Sequence, residues 1–315
     1  MRKGGAMKRL IVNADDLGIS LETNRAIADS FQRGIVTSAS LLVNMSGFAS
    51  AVQVSEEHPD LQVGLHLCLT SGRSLLPAED VPLLVDSQRR FRHSFVGLWR
   101  LLRSRDRQIA LVQIAAEVHA QWERARQHGV SLGHVDSHQH VHMLPALFPV
   151  VAELARQARV PLRVPDEPWR ITSLMIGPRR ITKGTTGLLK VAMLAVCARQ
   201  NAGAARAVRR SDICFGILHS GRMTREVLEQ LVSTLPDGVT ELITHPSWET
   251  ALDGHEELTA DDRGFLLSPF RRSEYEALTD PGVRRRLEHT GVQLLRRHES
   301  CSWRVSGLDR NLAKC

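Results

Sequence analysis

Aromatic residues are scarce in this 315-residue sequence, at 4% with a single tyrosine. Few flat side chains are therefore available to stack on bases, and no nucleic-acid-binding motif accompanies the net charge of +7. No nucleic-acid partner is expected. Paired cysteines are missing as well: Cys68, Cys197, Cys214, Cys301 and Cys315 are odd in number, scattered, and form no CxxC. Such spacing suits reduced thiols in a cytosol and argues against a disulfide framework or a cysteine zinc site. No uncharged apolar run approaches ~18 residues, because even "GLLKVAMLAVCA" carries Lys190, so a spanning helix is not expected. The start, "MRKGGAMKRL", has basic residues without an apolar signal region, which points to a cytoplasmic location. Met7 is an alternative start, leaving 1–6 as an unstructured extension to one domain over 7–310. No GxGxxG follows the first apolar run and no GxxxxGK[ST] occurs, so dinucleotide and P-loop chemistry lack their main supports.

What is present is an alternation of strand-like and helix-like segments. Leu10, Ile11 and Val12 read as a strand buried on both faces, and Gly18 with Ser20 turns the chain into the helix "LETNRAIADSFQRG". Strands are expected at 37–44, 61–69, 132–140, 160–166, 213–220 and 240–247, with amphipathic helices between most of them and a late helix over 280–298. A final strand is expected in "SWRVSG". About seven strands joined by crossover helices predict an α/β fold with a parallel sheet, either open or closed into a barrel.

Polar groups collect where these strands end. "LIVNADDLGIS" runs an apolar strand into Asp15 and Asp16; the alternative is one helix cap and one solvated carboxylate. His66 interrupts the apolar "GLHLCLT", as either a hydrogen-bonded core residue or a ligand. "HVDSHQHVH" places His134, Asp136, His138, His140 and His142 at period two, which predicts one shared face while the strand stays extended. Four imidazoles and a carboxylate make a costly core, and a metal site removes that objection. Arg163 in "PLRVPDEPW" and His245 in "ELITHPSW" close two further strands.

From about Lys8 to Trp248 the chain resembles the YdjC-like carbohydrate deacetylases, through "LIVNADDLG", "VGLHLCLT", "HVDSHQHVHMLP", "LRVPDEPW" and "ELITHPSW". The resemblance implies a distorted (β/α) barrel and metal-dependent removal of an acetyl group from an N-acetylated sugar. It implies metal ligands at Asp16, His66 and His138 and a catalytic carboxylate at Asp15. Leu17 departs from the family's usual aromatic residue. One carboxylate and two imidazoles suit a single divalent cation, magnesium or zinc, with cobalt and nickel as alternatives, and leave positions open for water and substrate. Asp15 is then expected to take the water's proton, Arg163 to hold Asp15 ionised, and His245 to protonate the departing amine.

Two readings from other classes share these features. A two-histidine, one-carboxylate set also serves non-haem iron oxygenases, and a metal can merely stabilise a non-catalytic sugar-binding protein. Substrate choice falls to the basic segments 71–107 and 170–210. The latter carries Arg170, Arg179, Arg180, Lys183, Lys190, Arg199, Arg206, Arg209 and Arg210 without one acidic residue. Together with the apolar "LLKVAMLAVCA", and with Phe91, Phe95 and Trp99 among the arginines of 89–105, this predicts peripheral contact with an anionic membrane. Arginines snorkelling from a helix packed on the barrel are the ordinary alternative. With membrane contact the substrate is a lipid-linked N-acetylated sugar, as in the hopanoid-glycolipid branch of the family; without it, soluble chitooligosaccharides.

Overall fold

The computed structural model describes residues 7–168, 185–251 and 256–295. Among them, seven parallel strands form one sheet: β1 (Lys8–Leu17), β2 (Ser38–Leu41), β3 (Gln62–Leu67), β4 (Val135–Ser137), β5 (Ile213–Phe215), β6 (Gly238–Thr244) and β7 (Gln293–Leu294). The order is β4-β3-β2-β1-β6-β5, and β7 lies beside the start of β1. β1 is central, and Leu10, Ile11, Val12 and Ala14 have no exposed surface, as the uninterrupted apolar run predicts. Helices cover the strands: α1 (Leu21–Gln32), α2 (Phe48–Glu57), α3 (Phe95–Leu101), α4 (Arg107–Gln127), α5 (Phe148–Gln157), α6 (Thr185–Gln200), α7 (Ala202–Ala205), α8 (Arg225–Thr234), α9 (Ala260–Leu266), α10 (Pro269–Leu278) and α11 (Pro281–Thr290). The sheet curls into a distorted, incompletely closed barrel. Beyond β4, Leu162 bridges Val135, and its N–H donates to the Arg209 carbonyl at 2.9 Å on the approach to β5.

Several elements depart from the sequence pattern. The expected strand 160–166 is reduced to the single bridge at Leu162, because Pro161 and Pro165 supply no N–H to a ladder. The late helix stops at Thr290, where Gly291 turns left-handed at φ 66°, and the next residues become β7. Helices α9 and α10 fill a span that periodicity left unassigned. "SWRVSG", residues 1–6 and the stretch 169–184, with Arg170, Arg179, Arg180 and Lys183, lie outside the described residues.

The largest correction concerns the histidine-rich strand. β4 ends at Ser137, and 138–143 wind into a 3₁₀ turn with Gln139 and His140 left-handed at φ 54° and 57°. The Ser137 hydroxyl accepts the His142 N–H at 3.0 Å, and its O–H meets His142 Nδ1, which pulls the chain out of the extended state. His134 to His142 therefore do not share one face. His134 faces Ser40 Oγ at 3.0 Å, and His142 Nε2 donates to the Arg163 carbonyl at 2.9 Å.

At the end of β1 the register shifts between Ala14 and Leu17, and Asp16 is left-handed at φ 70°. This bulge breaks the strand's alternation, so adjacent carboxylates both reach the barrel mouth. Gly18 follows at φ +98°, where an added Cβ would lie 2.4 Å from the Leu42 carbonyl oxygen. Gly18→Ala is expected to destabilise the chain by on the order of 1–3 kcal/mol, read as a lowered denaturant midpoint at unchanged slope. An unchanged midpoint would show that the turn tolerates a side chain.

Candidate active site and metal centre

Arg163 is fully buried and bonded to three carboxylates from three strands. Its Nη1 and Nη2 donate to Asp15 Oδ2 and Oδ1 at 2.8 Å each, Nη2 lies 2.8 Å from Asp136 Oδ2, and Nε donates to Glu241 Oε1 at 2.7 Å. Asn13 Nδ2 also donates to Asp15 Oδ1 at 2.8 Å. Burial works against the charge on Asp15, but Arg163 and then His66 outweigh it and lower the pKa. Asp136 is held well below the usual carboxylate range in the same way, again against burial.

A second group meets at Asp16. Its Oδ1 lies 3.7 Å from His66 Nε2 and 3.3 Å from His138 Nδ1, while Oδ2 lies 3.1 Å from Arg271 Nη2. Neither Asp16 oxygen makes a hydrogen bond among the described residues, although the side chain is buried. Each imidazole is oriented through its other nitrogen. His66 Nδ1 pairs with Asp136 Oδ1 at 2.6 Å, and His138 Nε2 with Asp262 Oδ1 at 3.0 Å. A carboxylate behind each histidine is the usual arrangement around a ligated metal. Asp16, His66 and His138 each present one ligand atom within 4.8 Å of the others. Asp15, His66 and Asp136 are as close, but Arg163 and the His66 hydrogen bond already occupy those carboxylates.

The charges point the same way. Among the described residues, Asp15, Asp16, Asp136, Glu241 and Asp262 are buried beside two guanidinium groups, Arg163 and Arg271. Such an excess of negative charge calls for further cations. His138 answers in part: burial opposes its charge, yet Asp262 and Asp16 raise its pKa well above the ordinary value. The half-buried Lys190 of α6 also faces the cluster; burial lowers its pKa while Asp15, Asp16 and Asp262 oppose that. Asp16 Oδ1, unbonded between the two oriented imidazoles, thus fits a divalent cation.

His245 follows β6 directly, with Nε2 3.9 Å from Asp15 Oδ2, too far for a hydrogen bond, and its ring stands edge-on to Phe265. Burial pushes its pKa down to about 4, so it is neutral near pH 7. Helix α10 grips its backbone on both sides: the His245 N–H donates to Glu274 Oε2 at 2.6 Å, and Arg271 Nε donates to the His245 carbonyl at 2.9 Å. Burial lifts Glu274 to about 7.

The structure therefore brings all six sequence-predicted residues into one cluster. Asp262, Arg271, Glu274 and Glu241 were missed. Glu241 left a signal, a charge inside the apolar strand "TELIT"; the other three sit on helices of polar composition, where a charged residue reads as solvated.

Comparison with known proteins agrees with this architecture. The family described as YdjC-like protein matches residues 9–289, and the chain belongs to it. A carbohydrate deacetylase of Geobacillus stearothermophilus is 31% identical over 287 residues, 90% of this chain and 95% of that protein. A carbohydrate deacetylase of Brevibacillus brevis is 45% identical over 159 residues, and a chitooligosaccharide deacetylase of Proteus mirabilis 42% over 156. These two matches span about half of this chain and only 59% and 58% of those proteins. A crystal structure from Enterococcus faecalis, described as a cellobiose-phosphate cleavage protein, superposes with a TM-score of 0.70 at 25% identity, covering 93% of this chain and 98% of that one.

Removing Arg163 isolates the test of the cluster's balance. Arg163→Met leaves Asp15, Asp136 and Glu241 buried without their shared cation. It is expected to cost on the order of 3–5 kcal/mol in denaturant unfolding. A loss below about 1 kcal/mol would mean that the carboxylates find other partners or lose their charge.

Proposed function

We propose that the chain is a metal-dependent deacetylase that hydrolyses the acetamide of an N-acetylated amino sugar. The observation that carries this reading is the convergence of Asp16, His66 and His138, each imidazole backed by a carboxylate, beside the Arg163-bound Asp15. The carbohydrate and chitooligosaccharide deacetylases among its relatives support the substrate class. Asp16 Oδ1, His66 Nε2 and His138 Nδ1 would hold the cation, and the imidazole pair favours zinc over magnesium, which prefers oxygen donors. A divalent cation there supplies Lewis-acid polarisation of the amide carbonyl and a lowered pKa for water.

The chain's own groups carry the protons. Asp15, kept ionised by Arg163, accepts a proton from the attacking water. His245 starts neutral, so the proton it delivers to the departing amine is one taken up within the cycle, with Asp15 Oδ2 its nearest carboxylate at 3.9 Å. The grip of α10 on the His245 backbone keeps that geometry.

Acetate release from N-acetylated chitooligosaccharides is expected to stop on chelation and return with zinc. Asp16→Ala, His66→Ala and His138→Ala lose the metal, whereas Asp15→Asn keeps it and loses about 10²–10⁴ in kcat. Full occupancy in any of the three alanine variants removes that residue from the ligand set, and near-normal turnover in Asp15→Asn removes Asp15 as base. Because His138 has a raised pKa in the metal-free chain, binding displaces its proton. Apparent affinity should therefore climb about tenfold per pH unit up to that pKa and level off above it, with proton release detected calorimetrically. Affinity independent of pH would contradict this. Oxygen uptake with ferrous iron would favour an oxygenase, and bound metal without turnover a sugar-binding protein.

A lipid-linked acceptor, such as a glycolipid of the hopanoid kind, is favoured over a soluble one by the surface beside the site. Residues 89–107 carry seven arginines and one acid, Asp106, and α3 packs against the turn that holds His138. Val96, Trp99, Ile109 and Val112 are 43–71% exposed there, and Arg103 lies over the Trp99 ring. Among the described residues no helix is long and apolar enough to cross a membrane, so contact would be peripheral. Anionic vesicles should cosediment the chain in low salt but not in high salt, and Trp99→Ser with Arg100→Gln and Arg103→Gln should weaken this at least tenfold, at about 1 kcal/mol per arginine. Equal binding to neutral vesicles, or none, leaves chitooligosaccharides as the substrate.

A further inference from the structure

The two oxygens of Asp16 are not equivalent in this fold. Oδ1 looks toward the two imidazoles, at 3.3 Å and 3.7 Å, whereas Oδ2 looks toward Arg271 Nη2 at 3.1 Å. Arg271 is fully buried, and its place is set by contacts independent of Asp16. Nε is committed to the His245 carbonyl at 2.9 Å, and the guanidinium lies over the Phe265 ring at 5.0 Å. Its two terminal nitrogens make no hydrogen bond among the described residues, so Nη2 has only the Asp16 carboxylate to serve.

We propose that Arg271 is a positioning residue that divides the Asp16 carboxylate, retaining Oδ2 and leaving Oδ1 as the one oxygen offered to the cation. The inference rests on the metal-hydrolase reading and adds to it a coordination mode. A carboxylate that takes one position where it can take two leaves a further position for the acetamide oxygen or water. The same guanidinium ties the ligand on β1 to the backbone of His245 just after β6, so the metal and the proton donor keep one spacing. A cation beside a metal site also lowers metal affinity by repulsion, which makes Arg271 a poor choice for tight binding alone.

The test uses cobalt in place of the native metal, because its visible absorption weakens as coordination number rises. Arg271→Gln frees Oδ2 and removes a positive charge. It should bind Co²⁺ at least about tenfold tighter, with a weaker visible band, while kcat falls. Arg271→Lys, which keeps the charge, should move the affinity and band back toward wild type. A folded Arg271→Gln protein with wild-type spectrum and affinity overturns the proposal. Should that variant fail to fold, a zinc-loaded crystal structure of the unaltered chain decides: Asp16 bound through Oδ1 alone with Oδ2 on Arg271 supports the division, and Asp16 bound through both oxygens overturns it. Failure of the unaltered chain to bind Co²⁺ or Zn²⁺ at all would strike the metal-hydrolase reading itself and this inference with it.

Discussion

The Arg163 guanidinium is the constraint on which the rest of the site depends. Three carboxylates from three strands cannot be buried together without a cation, and a guanidinium is the side chain whose forked donors can meet all three at once. Its position follows from the fold: the bridge at Leu162 brings the chain into the gap between β4 and β5, and the next residue points its side chain into the barrel. From there orientation passes outward in steps. Asp136 is fixed by Arg163, His66 Nδ1 is fixed by Asp136, and His66 Nε2 is thereby turned toward Asp16. Ser40 Oγ donates to Asp136 Oδ2 at 2.6 Å and supports the same carboxylate, so Arg163 and Ser40 together set the direction of His66 Nε2.

The opposite side of the cluster is built by different means. Asp262 on α9 and Arg271 and Glu274 on α10 reach the strand ends from late helices. They act largely on backbone and on the outer nitrogen of one candidate ligand: Glu274 and Arg271 hold His245 by its N–H and carbonyl, and Asp262 holds His138 by Nε2. The strands therefore supply the proposed reacting groups, and the helices set their angles. His138 is where the two sides meet, since Asp16 and Asp262 both raise its pKa and so make its position attractive to positive charge whether proton or metal.

Legibility in the sequence followed the same division. β1 and the two aspartates could be read because a buried strand is an uninterrupted apolar run, and carboxylates after it have no packing reason to be there. His66 was visible for the mirror reason, as a polar interruption of such a run, and Glu241 left the same kind of signal without being singled out. The histidine repeat after Gly133 misled, because period two holds only while the chain is extended. Ser137 ends the extension by bonding His142, and of the last three histidines only His138 reaches the candidate metal-binding group among the described residues. Asp262 and Arg271 were illegible for a physical reason: on a helix of mixed polarity, burial of a charge is decided by what the helix packs against, and that partner is far away in the chain. The resemblance to a known family supplied the ligand roles that periodicity alone could not.

The local conformation at Asp16 shows what such a cluster demands of the surrounding fold. A non-glycine residue at φ 70°, a bulge that breaks the β1 ladder, and a following glycine at φ +98° against the Leu42 carbonyl are each less favourable than a continued strand. They persist because the preceding residues of β1 are anchored on both edges, by β6 along Lys8–Ala14 and by β7 and β2 on the other side. The bulge lets neighbours that would point to opposite faces serve one mouth, Asp15 toward Arg163 and Asp16 toward the imidazoles. A regular strand would have been more stable and would have turned one of the two carboxylates away from the site.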